Sequence, residues 1–146
     1  MNDGPNWNAE RAIGRLVPAG WQGDAWRNHA RRYDAVDAGG WRFRSGRYHR
    51  APTDSQEDES WPALYLSLSD GGALAELMRW MEPMSLSALN NRRLTRIRVS
   101  LAAVLDLRDP SAIGLTPSDL TGDYDYTVTQ AIAVEAQNRR IEGLKD

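Results

Sequence analysis

The sequence predicts an α+β fold, a single domain with a small mixed or antiparallel sheet flanked by helices. Short alternating segments typical of strands are interspersed with isolated helical segments, without the regular order of a βαβ array. The chain has 146 residues, 41% of them hydrophobic, which is enough for one domain with a buried core. Residues 1–146 are therefore interpreted as one domain, with residues 1–13 as an N-terminal extension.

The first third of the chain predicts three elements. Residues 8–16 favour a short helix that begins after a capping Asn6 or Asn8. Residues 20–32 favour a second helix or an ordered loop. Residues 41–49 favour a strand in which Trp41, Phe43, Ser45 and Arg47 share a face, followed by a polar, acidic loop over 51–60.

A strand, a capped turn and a helix are expected in the centre of the chain. Leu64, Leu66 and Leu68 alternate with less apolar residues, which include Tyr65. Ser69 is a favourable N-cap residue, and the helix is expected to run from Gly72 to about Met81, before Pro83. Its apolar stripe comprises Leu74, Leu77, Met78 and Met81. Glu76 falls at the border of that stripe, where we expect its carboxylate to be half-sheltered.

Further elements follow in the second half. Residues 86–92 favour a turn of helix, and residues 94–101 and 104–107 favour two strands. In the first of these strands Ile97, Val99 and Leu101 are expected to point inward, with Arg96 and Arg98 outward. Residues 110–122 are turn-rich. A helix capped by Asp123 or Asp125 is expected to continue to about Asn138 and to carry its apolar side chains at Val128, Ala131, Ile132 and Val134, and residues 141–144 predict a last strand.

Composition excludes several classes of protein. The formal net charge of −2 argues against a dedicated DNA-binding protein. Without cysteine, the chain has no disulfide framework, thiolate catalysis or cysteine-ligated zinc, as suits a reducing cytoplasm. It has neither an apolar run long enough to span a bilayer nor an export signal at its start. We therefore expect a cytoplasmic protein without a membrane partner.

Common ligand-binding motifs are missing. The sequence contains neither the Gly-x-Gly-x-x-Gly dinucleotide motif nor the Gly-x-x-x-x-Gly-Lys phosphate loop. His29 and His49 stand alone, so no metal site is expected. Residues 41–50 interleave arginine with aromatics, a pattern shared by single-strand nucleic-acid binders and by proteins that bind nucleotide substrates. The acidic loop over 51–60 would repel a phosphate backbone, so the pattern favours a protein that binds a nucleotide substrate.

Four residues follow one another in a recognisable order: Arg15, Arg47 (after Gly46), Tyr65 and Glu76. They supply an early arginine, a Gly-Arg-aromatic step, an aliphatic-Tyr-aliphatic strand, and a helix start with a glutamate. This order resembles the pattern of the RES-domain family, the NAD-degrading toxins of bacterial toxin–antitoxin pairs. Residues 104–107 and the helix of Gln130 resemble later landmarks, so the resemblance covers about residues 14–144.

The resemblance implies an ADP-ribosyltransferase-like fold and cleavage of the nicotinamide–ribose bond of NAD⁺, with water or phosphate as acceptor. NAD⁺ is then a substrate, and no cofactor or metal is required. Glu76 and Arg47 are implied as catalytic residues. Arg15, Arg47, Tyr65 and Gln130 are implied to bind substrate, and the implied partner is an Xre-type helix-turn-helix antitoxin.

Departures from the pattern and two alternatives remain. The family's serine would follow Gly143-Leu144 in a Pro-Ser-Ala-like step, which this chain would carry only beyond Asp146. Tyr48-His49 stands where the family has Trp-Asn. An ADP-ribosyltransferase acting on a macromolecule would use the same residues, and a non-enzymatic nucleic-acid or protein binding module is a second alternative. Whether the chain forms a homo-oligomer stays open.

Overall fold

The structure, a computed structural model, describes residues 6–42, 45–51, 60–80, 86–122 and 125–146. These residues include five helices and three strands. The helices are α1 (Ala9–Gly14), α2 (Asp70–Trp80), α3 (Leu86–Asn90), α4 (Pro117–Thr121) and α5 (Thr127–Asn138). The strands are β1 (Ala19–Ala30), β2 (Arg92–Asp106) and β3 (Gly143–Lys145), and 3-10 turns lie at Gly39–Arg42 and Pro110–Ile113.

The three strands form one mixed sheet in the order β1-β2-β3. β3 pairs in parallel with the end of β2, with Val104 opposite Gly143 and Asp106 opposite Lys145. At the other end of β2, the Arg31 amide just beyond β1 donates to the carbonyl of Asn91 at 2.8 Å. The predicted α+β class with a small mixed sheet is therefore confirmed.

The prediction of a helix or loop over residues 20–32 is wrong for residues 20–30, because these residues belong to β1. Trp26 exchanges both backbone hydrogen bonds with Ser67, at 2.8 and 2.9 Å. The predicted strand that contains Leu64, Leu66 and Leu68 is therefore reduced to an isolated bridge at Ser67. The pairing partners of β1 are distant in sequence, so local periodicity did not indicate them.

Other strand boundaries also differ from the predictions. Residues 94–101 and 104–107 belong largely to one continuous strand, β2, instead of two. The strand predicted over 41–49 is absent from its described residues, where Gly46 and His49 close a tight turn. Phe43 and Arg44 lie outside the described residues, as do residues 52–59 of the acidic loop, Met81, Pro83 and Asp123.

The chain comprises two compact units. Unit 1 contains residues 1–21, 40–63 and 101–146, and unit 2 contains residues 22–39 and 64–100. Helices α1, α4 and α5, strand β3 and the last part of β2 belong to unit 1. Helices α2 and α3, with most of β1 and the first part of β2, belong to unit 2.

The core of unit 1 forms where α1 and α5 meet the end of β2. Trp7 packs at its edge and donates its indole N–H to the carbonyl of Ile113 at 2.9 Å. Burial of aliphatic side chains in this core is the main contribution that stabilises unit 1, and each large one contributes roughly 1.5–3 kcal/mol. The buried residues are Ala12, Ile13, Leu105, Leu107, Ile113, Leu115, Leu120 and Ile132.

The buried face of α5 is rotated relative to the predicted stripe. Its buried residues are Thr129, Ile132, Ala133 and Ala136, and of the predicted positions only Ile132 is fully buried. Thr129 enters the core because its hydroxyl donates to the carbonyl of Tyr126 at 3.2 Å. A hydrophobicity pattern misses a threonine that satisfies its own hydroxyl inside the helix.

In unit 2, His29 and Ala25 on β1 are buried, as are Ala73 and Leu77 on α2. The ring of His29 is held by the Thr95 hydroxyl at 2.7 Å from Nε2 and by the Ala30 carbonyl at 3.0 Å from Nδ1. The predicted Ser69 cap is confirmed, because its hydroxyl accepts the Gly72 amide at 2.9 Å. Within the described residues, no helix combines the length and apolar character needed to cross a membrane.

Helix α5 ends in a Schellman motif that directs the chain into β3. The Arg140 amide donates to Gln137 at 3.1 Å and the Ile141 amide to Ala136 at 2.9 Å. This geometry needs a left-handed residue, and Arg140 supplies it with φ 57°. Gly114, with φ 75°, ends the 3-10 turn at Pro110–Ile113 in a similar way. The left-handed conformation is higher in conformational free energy for an arginine than for a glycine, because an arginine has a Cβ atom.

The two left-handed positions give paired predictions of opposite sign. We expect Arg140→Gly to raise the free energy of unfolding by about 1 kcal/mol, because glycine adopts this conformation without a Cβ clash. Gly114→Ala should lower it by a similar amount, about 1 kcal/mol. Urea unfolding followed by circular dichroism measures both. A decrease for Arg140→Gly would contradict this interpretation of the helix end.

The capping box at the start of α4 predicts a dependence of stability on pH. The Asp119 carboxylate accepts the Thr116 amide at 2.8 Å and the Thr116 hydroxyl at 2.9 Å, and these hydrogen bonds lower its pKa. The carboxylate therefore stabilises the fold fully above its ordinary pKa of about 3.9, and this contribution is lost as the pH falls through the lowered folded value.

We expect Asp119→Asn to be less stable than the parent by about 1 kcal/mol at pH 7. The difference should shrink as the pH falls below about 4, because the parent then also loses its charge. Urea unfolding at pH 7, 4 and 2.5 tests this expectation. A difference that stays constant across this range would show that the carboxylate charge is not what stabilises the cap.

Candidate functional site

Arg47, in unit 1, lies in a tight turn between buried anchors. The Gly46 amide donates to the His49 carbonyl at 3.2 Å, and the Ala51 amide donates to the Ser45 hydroxyl at 2.9 Å. The indole of Trp61 donates to the carbonyl of Tyr48 at 3.1 Å. Buried His49, Ala51 and Trp61 flank or support the turn. The backbone that carries Arg47 is therefore fixed on both sides.

The side chain of Arg47 is half-buried, and its Nη2 donates to the Thr121 carbonyl at 3.3 Å. A guanidinium has five N–H donors arranged as a planar fork. A contact to a carbonyl helps to fix the direction of the group. Arg47 is therefore an oriented cation, suited to an anionic group of a ligand.

Gln130 on α5 holds the turn of Arg47. Its amide nitrogen donates to the carbonyls of Gly46 at 3.1 Å and His49 at 3.3 Å, and its amide oxygen accepts from Arg50 Nε at 3.4 Å. The structure thus brings Gln130 together with the turn of Arg47. Both ends of the Gln130 amide are engaged in these contacts. Gln130 therefore positions Arg47 through the backbone of the turn.

Tyr65 and Glu76 both belong to unit 2 and flank the capped start of α2. Tyr65 is 46% exposed, and Glu76 is exposed on α2. The sequence led us to expect a half-sheltered carboxylate, and the structure places Glu76 among the exposed residues. Helix α2 buries Ala73 and Leu77 and leaves Leu74 and Met78 about half exposed, so among the described residues only Leu77 of the predicted stripe is buried.

Arg27 on β1, in unit 2, is a candidate that the sequence analysis did not single out. Its Nη1 donates to the carbonyls of Ala35 at 2.7 Å and Asp37 at 2.8 Å. Burial lowers its pKa, Asp37 opposes this shift, and Arg92 adds to it. An arginine starts so high that it stays charged at neutral pH. The sequence predicted a helix or an ordered loop in this segment, so Arg27 was not expected on a strand.

The remaining candidate from the sequence is Arg15, and two further charged residues of unit 1 are Asp106 and Arg108. Arg15 is exposed at the C-terminal end of α1, where its backbone amide caps the helix. In unit 1, Arg108 forms a short ion pair with Asp106 at 2.6 Å, and its hydrogen bonds lower the pKa of Asp106 to about 2. Among the residues with described positions, no three His, Asp or Glu side chains group to hold a metal ion.

Comparison with known proteins places the chain in a family. The pattern of the RES domain matches residues 20–145, nearly the whole chain. The match begins after Arg15, so the resemblance proposed for residues 14–19 lies outside it, whereas Arg27, Arg47, Tyr65, Glu76 and Gln130 lie within it. No curated protein sequence matches the chain significantly.

A solved structure supports the same assignment. The chain superimposes with a TM-score of 0.75 and 28% identity on a structure described as the crystal structure of the M. tuberculosis MbcT–MbcA toxin–antitoxin complex, in which the similar chain is the toxin MbcT. The alignment covers 93% of this chain and 73% of the other. Since the family pattern and the superposition each extend over most of the sequence, the chain belongs to the RES domain family.

Proposed function

We propose that this protein is the toxin of a toxin–antitoxin pair and that it cleaves NAD⁺ at the nicotinamide–ribose bond. The family match over residues 20–145 is the observation that carries the proposal. The similarity to the toxin of a toxin–antitoxin complex supports the biological role. The exposed carboxylate, oriented arginines and exposed tyrosine described above supply the side chains that this chemistry requires.

The reaction breaks the bond between ribose C1′ and the nicotinamide nitrogen. The bonding electron pair leaves with nicotinamide and neutralises its ring, so the leaving group needs no proton. Water or phosphate then forms a bond to C1′, and water loses a proton in doing so. A positive charge develops on the ribose in the transition state, as in glycoside cleavage. The protein must therefore place a negative charge close to the ribose.

Glu76 is the residue that we assign to this negative charge. Its exposure leaves its carboxylate accessible to a substrate, and the Ser69 cap fixes the start of the helix that carries it. When NAD⁺ covers the carboxylate, removal of water strengthens its attraction for the ribose cation. Its oxygens are also suited to orient the ribose hydroxyls.

The diphosphate of NAD⁺ requires positive charge, and arginine forks bind phosphate oxygens in pairs. Arg47 is assigned to this role because its turn is held in place and its guanidinium is directed by Thr121. Arg27 is a further candidate, since its hydrogen bonds to Ala35 and Asp37 hold its guanidinium in a fixed direction. Arg15 keeps its proposed role only as an exposed cation outside the family match.

Tyr65 and Gln130 are assigned supporting roles. The electron-rich face of an exposed tyrosine suits the positively charged nicotinamide ring, which makes Tyr65 the proposed contact for that part of the substrate. Gln130 contributes by holding the turn of Arg47 through Gly46 and His49. Substrate binding by Gln130 is therefore proposed to be indirect.

An antitoxin is the proposed protein partner, since the similar toxin was crystallised in a complex with one. The Xre helix-turn-helix type is proposed from the family resemblance. A cytoplasmic location is proposed because NAD⁺ is a cytoplasmic substrate and because the sequence lacks cysteine. The acceptor, water or phosphate, is to be decided by the products.

The first activity prediction concerns Glu76. We expect Glu76→Gln to lower the rate of NAD⁺ cleavage by about 10²–10³-fold, because the variant keeps the shape of the side chain but removes the negative charge. Chromatography of nicotinamide release measures the rate, and ³¹P NMR in phosphate buffer distinguishes ADP-ribose from its phosphorylated form. Glu10→Gln, an exposed glutamate at the start of α1, is the matched control.

Three outcomes would contradict parts of this proposal. If Glu76→Gln and Glu10→Gln cleave NAD⁺ as fast as the parent, the assignment of Glu76 is wrong. If the parent leaves NAD⁺ intact in both water and phosphate, the proposed reaction is wrong. If labelled ADP-ribose instead appears on a protein or nucleic-acid band, the protein is a transferase acting on a macromolecule.

The second activity prediction separates Arg47 from the residue that positions it. We expect Arg47→Ala to raise KM for NAD⁺ at least tenfold and Arg47→Lys to restore only part of the affinity, because lysine lacks the fork. Gln130→Leu should also raise KM, by a smaller factor, because the freed turn no longer directs Arg47. Steady-state kinetics measures these values, with Arg108→Gln as control. An unchanged KM for Arg47→Ala would remove Arg47 from the site.

A further inference from the structure

A basic surface lies on one face of β1 and β2 within unit 2. The Asp24 carboxylate on β1 lies 3.5 Å from Arg98 Nη1 and 4.0 Å from Arg96 Nε on β2, so these three side chains share a face. Side chains alternate along a strand, which adds Trp26 on β1 and Leu94 on β2 to the same face. We call this set the arginine face, with Asn28 and Arg92 as its remaining members.

The contact between Arg92 and Asn28 supports this assignment. The guanidinium of Arg92 donates to the Asn28 side-chain oxygen at 2.7 Å and to the Asn28 carbonyl at 3.1 Å. Desolvation by burial lowers the pKa of Arg92, which nevertheless stays charged at neutral pH. Arg92 therefore provides a fixed cation at one end of the arginine face.

The other two cations are accessible to a ligand. The side chains of Arg96 and Arg98 are 68% and 70% exposed, and their contacts with Asp24 are long. Exposed ion pairs of this kind are weak, typically about 0–1 kcal/mol. Three arginines against one aspartate make the arginine face basic, although the whole chain has a net charge of −2. The net charge therefore conceals a local cationic surface.

The uncharged side chains on the arginine face indicate the class of ligand. Half-buried Trp26 is fixed through its backbone exchange with Ser67, and Leu94 is 43% exposed. Arginines that follow an extended backbone, combined with an aromatic ring on the same sheet surface, are typical of proteins that bind single strands. An acidic peptide would use the arginines but gives no reason for the indole. Paired bases in a duplex are not exposed for stacking.

We propose that the arginine face of unit 2 binds single-stranded nucleic acid, with phosphates on Arg96 and Arg98 and a base on Trp26. Asp24 limits the affinity, because the incoming phosphates must compete with its carboxylate. The proposal uses none of the residues assigned to NAD⁺ cleavage, and it stands independently of that reaction. It predicts that charge changes on the two strands have opposite effects.

Fluorescence anisotropy with fluorescein-labelled dT15 and U15 tests the proposal on the full chain. We expect Arg96→Gln combined with Arg98→Gln to weaken binding at least tenfold, and Asp24→Asn to strengthen it several-fold. The slope of log affinity against log salt should fall by roughly 0.7 for each phosphate that the double variant no longer neutralises. Trp26→Leu should weaken binding while leaving the salt slope unchanged, because stacking releases no counterions.

Arg108→Gln is the control, since Arg108 is an exposed arginine of unit 1. Thermal melts by circular dichroism identify any variant that fails to fold, and Asp24→Asn then provides an independent test because it must gain affinity. The proposal is overturned if Arg108→Gln weakens binding as much as the double variant, or if Asp24→Asn does not strengthen it. A glutamate peptide of equal charge that competes as well as dT15 would assign the face to an acidic protein instead. Tighter binding of a 15-base-pair duplex would also overturn the proposal.

Discussion

The burial of Ile132 on α5 against the end of β2 is the interaction on which unit 1 depends. Ile132, Leu105 and Ile13 are almost completely inaccessible, and they tie the last helix, the sheet and the first helix together. Removing such a side chain leaves a cavity and costs about 2–5 kcal/mol. The same helix carries Gln130, so the packing that stabilises the core also fixes the turn of Arg47. Stability and the candidate site of unit 1 thus share one element.

The sequence predicted those parts of the fold whose stabilising contacts are local. The Ser69 cap, the short helix at 86–90 and the outward arginines of β2 were predicted correctly, because caps and alternation are encoded within a few residues. The prediction for β1 was wrong because its hydrogen-bond partners lie far along the chain. The buried face of α5 was misplaced because Thr129 satisfies its hydroxyl within the helix.

The candidate site was predictable to the level of the family but not to the level of geometry. The order of Arg15, Arg47, Tyr65 and Glu76 indicated the RES domain, and the family match over residues 20–145 confirms that family without including Arg15. The exposure of Glu76 depends on which face of α2 packs, and only tertiary contacts determine that. The role of Gln130 depends on a turn more than eighty positions earlier in the sequence. The guanidinium of Arg27 donates to a backbone carbonyl in a segment that no sequence motif marks.

The parallel pairing of β3 with β2 has a consequence for how the protein folds. Val104 and Gly143 are about forty positions apart, and the intervening chain includes α4 and α5. Closing so long a segment lowers the entropy of the chain before the hydrogen bonds between β2 and β3 can form and stabilise it. We therefore expect β3 to dock late, after α5 has already packed on the core. A partly folded molecule would then expose the unpaired edge of β2 for the longest time, making that edge its main route to aggregation.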